Sequence, residues 1–375
     1  MVNVRAGNYV YQLLQLLALA GEFPAASLCL LGNERVIKAL VHRLESVQEM
    51  RFSTGGQVYV TKLLQVSGQR ERRTVHLHRS TLPLLQELHS EASAYYLDTF
   101  QGHKFSGSEY HITRNHRVAE AIAVAMMAGL EFRPYVLPKL QNSAILHTVP
   151  TKPSFYIARD FKETESDGMN KTMFTRIVGA VFYTGGCYAV YNTRGAVMKW
   201  AGMGEFKAMH YLSELARRNA GLSDVNSALL LGNNPDVALQ TILESDKNRR
   251  ALRFDGVYQH VHFLPLNPDG IRLLKLLTLP NWNEKIRAAL FSPEMRPQGF
   301  GFMEYDAVAN GTFILSHLDG DLARLIRFRE ALPTQVNKHF EVVCFPWQQE
   351  YLHAYLGDSV KLRLIEMEAL EHEII

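Results

Sequence analysis

The sequence predicts a mixed α/β chain, with a small, mostly helical N-terminal part followed by a larger α/β part. Three observations carry that expectation. Apolar residues recur at helical spacing in three short segments before residue 50. Beyond residue 132, strand-like and helical segments alternate, the order expected around a mixed sheet. Charge is uneven: residues 1–80 hold ten Lys or Arg against five Asp or Glu, while the rest of the 375-residue chain holds thirty against thirty-two. That length accommodates two or three domains with their own cores.

The first helix is expected over Asn8–Gly21, with Val10, Leu13, Leu14 and Leu17 on one side and Gly21 as its stop. A second, short helix starts at Pro24 and runs through Leu31. Gly32-Asn33 makes a tight turn, and Asn33 can cap a third helix, Glu34–Val47. In that helix Val36, Ala39, Leu40 and Leu44 are expected to face the core, leaving Arg35, Lys38, His42 and Arg43 outside. Gln57–Gln65 and Thr74–His78 alternate as strands around a turn at Ser67-Gly68-Gln69. The tip and returning arm of this hairpin carry Arg70, Arg72 and Arg73. A further helix begins near Ser80. Helix, helix, helix, hairpin, helix is the order of a winged helix-turn-helix, so residues 1–90 are expected to bind duplex DNA. The candidate DNA contacts are Arg35, Lys38, His42, Arg43, Lys62, Arg70, Arg72 and Arg73, because phosphate contact requires clustered cations.

Residues 91–114 are polar and are expected as a connector, with an α/β domain over 115–375 and a C-terminal subdomain from about residue 280. Within it, helices are expected at Asn115–Gly129, Phe206–Arg218, Asp236–Glu244, Asp269–Leu277, Leu322–Ala331 and Gln348–Leu356. Strands are expected at Phe132–Leu137, Phe155–Arg159, Ile177–Tyr183, Tyr188–Tyr191, Ala228–Leu231 and Val257–Leu264. Four more fall near Gly301–Tyr305, Thr312–Leu315, Glu341–Phe345 and Val360–Glu366. Gly185-Gly186 joins two of them as a hairpin turn.

A winged helix, then a helix bearing His116, then Glu131-Phe-Arg-Pro134, then scattered lysines (Lys139, Lys152, Lys162, Lys171) and a hairpin leading to a long helix resembles the replication-relaxation and MobC-like mobilisation proteins of plasmids and integrative elements. The likeness covers the organisation of roughly residues 5–220. It implies action at a replication or transfer origin of a mobile element, alongside other relaxosome or replication proteins. It also implies a restriction-endonuclease-like α/β domain, which in some members nicks DNA with Mg²⁺ or Mn²⁺. Such chemistry needs carboxylates around a divalent ion and a lysine beside the attacking water. Here the hairpin Ile177–Asn192 lacks Asp and Glu. The candidate catalytic residues are therefore Asp160, Glu205, Lys207 and Glu120, with Glu205-Phe-Lys207 at a helix start. The expectation leans away from an enzyme. A metal-dependent nicking relaxase and a transcriptional regulator with a ligand-sensing α/β domain stand as alternatives.

Other patterns are weaker. His76-Leu-His78 and His260-Val-His262 each place two imidazoles on one face of a strand, where they could grip a metal. No companion motif supports either pair, so no metal site and no certain cofactor are assigned. Tyr183, Tyr188, Tyr191 and Trp200 are expected as packing aromatics, with base stacking as the alternative. The loops at 233–235 and 267–270 join strands to helices but match no nucleotide-binding motif. Lys247, Arg249, Arg250 and Arg253 are expected at a solvated helix end. Cys29, Cys187 and Cys344 are far apart in apolar surroundings, as expected of reduced thiols in a cytoplasmic protein. No segment approaches the ~20 apolar residues of a membrane span, and Leu13–Ala20 is expected as a core helix rather than a signal peptide. A homodimer is compatible with this organisation.

Overall fold

The computed structural model describes residues 2–5, 7–52, 58–105, 107–131, 152–159, 176–198, 203–222, 225–247, 253–297, 303–334 and 337–374. The chain is mixed α/β and divides into two compact units, Met1–Pro138 and Lys139–Ile375. The expected strand Phe132–Leu137, along with Asp160, Lys139, Lys162, Lys171, Trp200, Arg249 and Arg250, lies outside the described residues.

In the first unit, helix α1 (Tyr9–Ala20) is capped by Asn8, whose side chain accepts from the Tyr11 amide, and it buries Val10, Leu13, Leu14 and Leu17. A short strand, β2 (Glu22–Pro24), follows. The segment expected as a second α-helix is a 3₁₀ helix, Ala25–Leu31. The Asn33 side chain then caps helix α2 (Glu34–Leu44) through the amides of Arg35 and Val36. The inward face of α2 is Ile37, Val41 and Leu44. Val36, expected inside, is 50% exposed, and Ala39 also faces out. The apolar set at i, i+4 and i+7 is the one that meets the core, so the helix is turned from the expected orientation.

Two strands, β5 (Leu64–Ser67) and β6 (Thr74–Leu77), form an antiparallel hairpin. β6 pairs in turn with β2, giving the sheet order β2-β6-β5. The expected strand Gln57–Gln65 is interrupted at Lys62-Leu63. Its first half, β4 (Val58–Thr61), pairs instead with β3 (Gln48–Phe52), which lies parallel to β1 (Val2–Val4). A helix expected near Ser80 runs as α3 (Leu82–Leu88), and residues 91–114, expected as a connector, include most of helix α4 (Ser90–Thr99) and the start of helix α5 (Glu109–Met127). Both α4 and α5 pack on α1, so the N-terminal core extends well past residue 90.

The second unit holds two sheets. The first has five strands: β7 (Ser154–Ile157), β8 (Ile177–Tyr183), β9 (Gly186–Arg194), β10 (Ser227–Gly232) and β11 (His260–Pro265). β7, β8 and β9 run antiparallel, and β9, β10 and β11 run parallel with α-helical crossovers, as parallel pairing requires. The β8–β9 turn falls at Thr184-Gly185, one residue before the expected pair. The second sheet is β12 (Ala307–Ala309), β13 (Thr312–Ser316), β14 (His339–Cys344) and β15 (Val360–Leu364); its last three strands are parallel. No strand covers 303–305, where one was expected near Gly301–Tyr305. The loop after β13 lies against β11 through a His262–Asp321 bridge and the Phe263 amide on the Gly320 carbonyl (2.9 Å). Among the described residues, no helix is long and apolar enough to cross a membrane.

Candidate nucleic-acid interface

One flank of α2, between its buried and exposed faces, and the β5–β6 hairpin bound a groove of about 410 Å³. Lys38 and His42 line it from the helix, Arg70 and Arg73 from the hairpin; Ala25, Ala26, Val41 and Val75 form part of its floor. The hairpin tip takes its shape from two left-handed residues. Gly68 has φ +77°, and a Cβ there would sit 2.3 Å from the Arg72 carbonyl oxygen. Arg70 has φ +52°, which a non-glycine residue adopts only under constraint from its surroundings. Together they turn the tip so that Arg70 and Arg73 line the groove.

The expected basic residues do not all contribute alike. Arg35 and Arg43 are exposed on α2 but lie outside the groove lining, and Arg43 reaches Gln48 (3.5 Å). Lys38 is paired with Glu34 one turn earlier. Arg72 forms an ion pair with Glu109 of α5 (2.6 Å), so an acid that lies outside residues 1–90 already partners one hairpin cation. Lys62 is half-buried, and its backbone carbonyl accepts from the Ser80 and Thr81 hydroxyls, which gives that position an anchoring role. Glu45 also lines the groove, held by the Val66 amide (3.2 Å).

His116 and Glu120, both on α5, are structural ties in the first unit. The His116 ring is 1% exposed and its Nε2 meets the Thr74 hydroxyl on β6 at 2.8 Å. The Ser27 hydroxyl donates to Glu120 Oε1 at 2.6 Å, joining α5 to the 3₁₀ helix. The Asn115 amide reaches Glu22 of β2, and burial raises the Glu22 carboxyl above its ordinary range. On the same strand as Thr74, His76 stacks on Phe105, and burial holds its ring down to about 4. The His76/His78 pair thus belongs to the hairpin and its packing.

Glu205 and Lys207 lie in the second unit, on helix α6 (Met203–Ala220). Glu205 is buried and bound to Arg176 Nη1 at 2.8 Å, while Lys207 is exposed. Residues two apart on a helix do not share a face, so the pair does not converge. Among the described residues, no group of three or more His, Cys, Asp or Glu is set to hold a metal. Tyr188 and Tyr191 are core residues, their hydroxyls bound to the Leu277 carbonyl (3.0 Å) and to Tyr258 (2.8 Å). Arg253, at the basic cluster after residue 247, is held by Asp255 and Glu330. Cys187 and Cys344 are buried and Cys29 is half-buried; burial raises all three thiols, Cys344 to about 12, which leaves them protonated.

His260 and His262 do share a face of β11, and they meet a segment that the sequence analysis passed over, His317-Leu-Asp-Gly-Asp321. His260 Nδ1 donates to Asp321 Oδ2 (2.6 Å) and His262 Nδ1 to the Asp319 carbonyl (3.0 Å). The other Asp321 oxygen accepts from the amides of Val261, Ala323 and Arg324, which makes Asp321 the N-cap of the helix Leu322–Ala331. Burial opposes the charge on Asp321, but His260, His262 and these amides outweigh it and hold the carboxyl well below its usual range. Asp319 has burial as its leading influence and is pushed up. An Asp just before an apolar helix is a capping signal that could have marked Asp321. Its histidine partner, sixty-one residues earlier, follows only from the chain's return past β11. Compared with family models, characterised proteins and solved structures, the chain matches none of them.

Proposed function

We propose that the Met1–Pro138 unit is a winged helix-turn-helix that binds duplex DNA, with α2 as the recognition helix and the β5–β6 hairpin as the wing. The observation that carries the reading is the groove that Lys38 and His42 line from the helix and Arg70 and Arg73 from the hairpin. The order of elements supports it: a strand after the first helix pairs with the returning arm of the hairpin, and a tight turn precedes the capped α2. Phosphates bind where cations share one surface, and base edges are read by a helix in the major groove. The exposed α2 residues Arg35, Lys38, Ala39, His42 and Arg43 supply polar and small groups for that role. The likeness to replication-relaxation and mobilisation proteins extends the reading to an origin of a mobile element, with the second unit serving assembly.

The test is a full-length Lys38→Gln, Arg70→Gln, Arg73→Gln variant titrated with duplex DNA at several salt concentrations. The expected result is weaker binding to every duplex, with the slope of log K against log salt reduced by about 0.9 for each lost phosphate contact. Unchanged affinity and slope in a folded variant would overturn the reading.

A further inference from the structure

The Lys139–Ile375 unit contains a cleft of about 890 Å³ for which DNA binding provides no role. Its size falls in the range of small-molecule sites, roughly 300–1,000 Å³. It opens at the start of β10 and β11, beside the loop that carries Asp319 and Asp321. We propose that this cleft binds a nucleoside: a flat nitrogen heterocycle with a sugar and no phosphate.

Three features support that ligand. The lining is aromatic: Tyr183 stacks on the buried Tyr188 at 4.9 Å, and the half-buried Trp282 stands edge-on to His262 at 5.6 Å. Such walls suit a planar ring. The second feature is a set of directed polar groups. The His260 ring is fixed through Nδ1 by Asp321 and the His262 ring through Nδ1 by Asp319, so each imidazole is set in one orientation with Nε2 as its remaining polar atom. Asp319 is 8% exposed and lines the cleft beside them, its Oδ1 accepting from the Asp321 amide at 3.1 Å. Asn281 adds an amide. It holds a left-handed backbone (φ +54°) and caps the helix Trp282–Leu290 without using its side chain. Directed hydrogen-bonding groups beside aromatic rings are what the edge of a nucleobase requires.

The third feature is charge, which separates a nucleoside from a nucleotide. The cleft's arginines are already matched by acids. Arg287 binds Asp306 (3.1 Å), and Arg324 binds Glu304 (2.9 Å) and Asp306 (2.8 Å). A phosphate would have to compete with two buried or half-buried carboxylates for these cations. A free nucleoside meets no such competition, and the same accounting disfavours a base extruded from a DNA strand.

Isothermal titration of the full-length chain with adenosine, guanosine, cytidine and uridine tests the proposal, with tryptophan fluorescence followed in parallel. At least one nucleoside should bind saturably at submillimolar concentration. Trp282→Leu should weaken it at least tenfold; Asn281→Ala, which removes the amide that lines the cleft without capping the helix, should also weaken it and serves if Trp282→Leu fails to fold. DNA affinity should stay unchanged in both, which keeps this test separate from that of the N-terminal groove. A short single-stranded oligonucleotide and glucose serve as competitors and should not displace the nucleoside. Failure of all four nucleosides to bind at millimolar concentration would overturn the proposal. Equal binding of glucose would do so too, as would binding by the oligonucleotide alone.

Discussion

Ser27 and Glu120 show how a polar contact ties a helix to the 3₁₀ turn beside it in the first unit. Glu120 is fully buried, and Ser27 gives it a 2.6 Å hydrogen bond across ninety-three residues of sequence. A buried acceptor that loses a partner retains its desolvation cost, about 1–3 kcal/mol. Ser27→Ala is therefore expected to lower the stability of the chain by that amount in urea denaturation. A neutral substitution would mean that water or another group replaces the hydroxyl. Glu120, a candidate for catalysis on its residue type, has its carboxylate bound to the 3₁₀ helix inside the first unit.

At the scale of elements, the hairpin tip is the most exacting part of the groove. Gly68 combines φ +77° with a backbone oxygen 2.3 Å from where a Cβ would stand, so any side chain must displace the Arg72 carbonyl. Gly68→Ala is expected to cost at least 1 kcal/mol. It should also speed amide exchange over the tip and, on the proposed DNA-binding reading, weaken DNA binding, because Arg70 and Arg73 lose their placement. Full DNA affinity in a folded Gly68→Ala variant would show that the tip does not orient these cations. In the second unit, Gly270 plays a similar part at the start of helix Pro268–Leu277. A Cβ there would stand 1.9 Å from the Pro265 carbonyl oxygen, and the Gly270 amide donates to the capping Asn267 side chain.

For the whole molecule, buried histidines set the acid limit. His317 is enclosed beside Tyr351, and burial holds its ring down to about 3 from an ordinary 6.5; His76 is held to about 4 for the same reason. Both rings fold in the neutral form, so the unfolded chain binds more protons below pH 6.5 and stability falls as pH drops from there towards 3. His260 works in the opposite sense. Burial disfavours its charge, but the Asp321 carboxylate outweighs that and raises it, so its contribution is complete below 6.5 and is lost as pH rises through its folded value. Asp321 is depressed in the fold, so its contribution is present above 3.8 and lost below that. The melting temperature is therefore expected to decline as pH falls from 6.5 towards 3. His317→Gln, which can keep a hydrogen bond to Tyr351, should flatten the upper part of that decline. A melting temperature that does not change over this range would contradict the assignment of neutral buried rings. Charge also differs between the units: Lys139–Ile375 holds equal numbers of basic and acidic residues, so the chain's net +3 resides in Met1–Pro138.

The sequence by itself determined the class and most of the elements, because helices and strands follow from local periodicity and capping. Ile177–Tyr183 and Leu322–Ala331 have the expected bounds, and Asn33 caps the helix it was expected to cap. The candidate groove was legible in part, since Lys38, His42, Arg70 and Arg73 lie on elements whose order already suggested they would meet. Only the tertiary structure decided which face of α2 is inside, that β4 leaves the hairpin for β3 and β1, and that Arg72 is tied to Glu109. It also decided that His260 and Asp321 meet. These outcomes depend on contacts between distant segments, where burial and pairing energies override local preference. Alternation and charge along a single segment carry no record of the partner that the chain will bring to it.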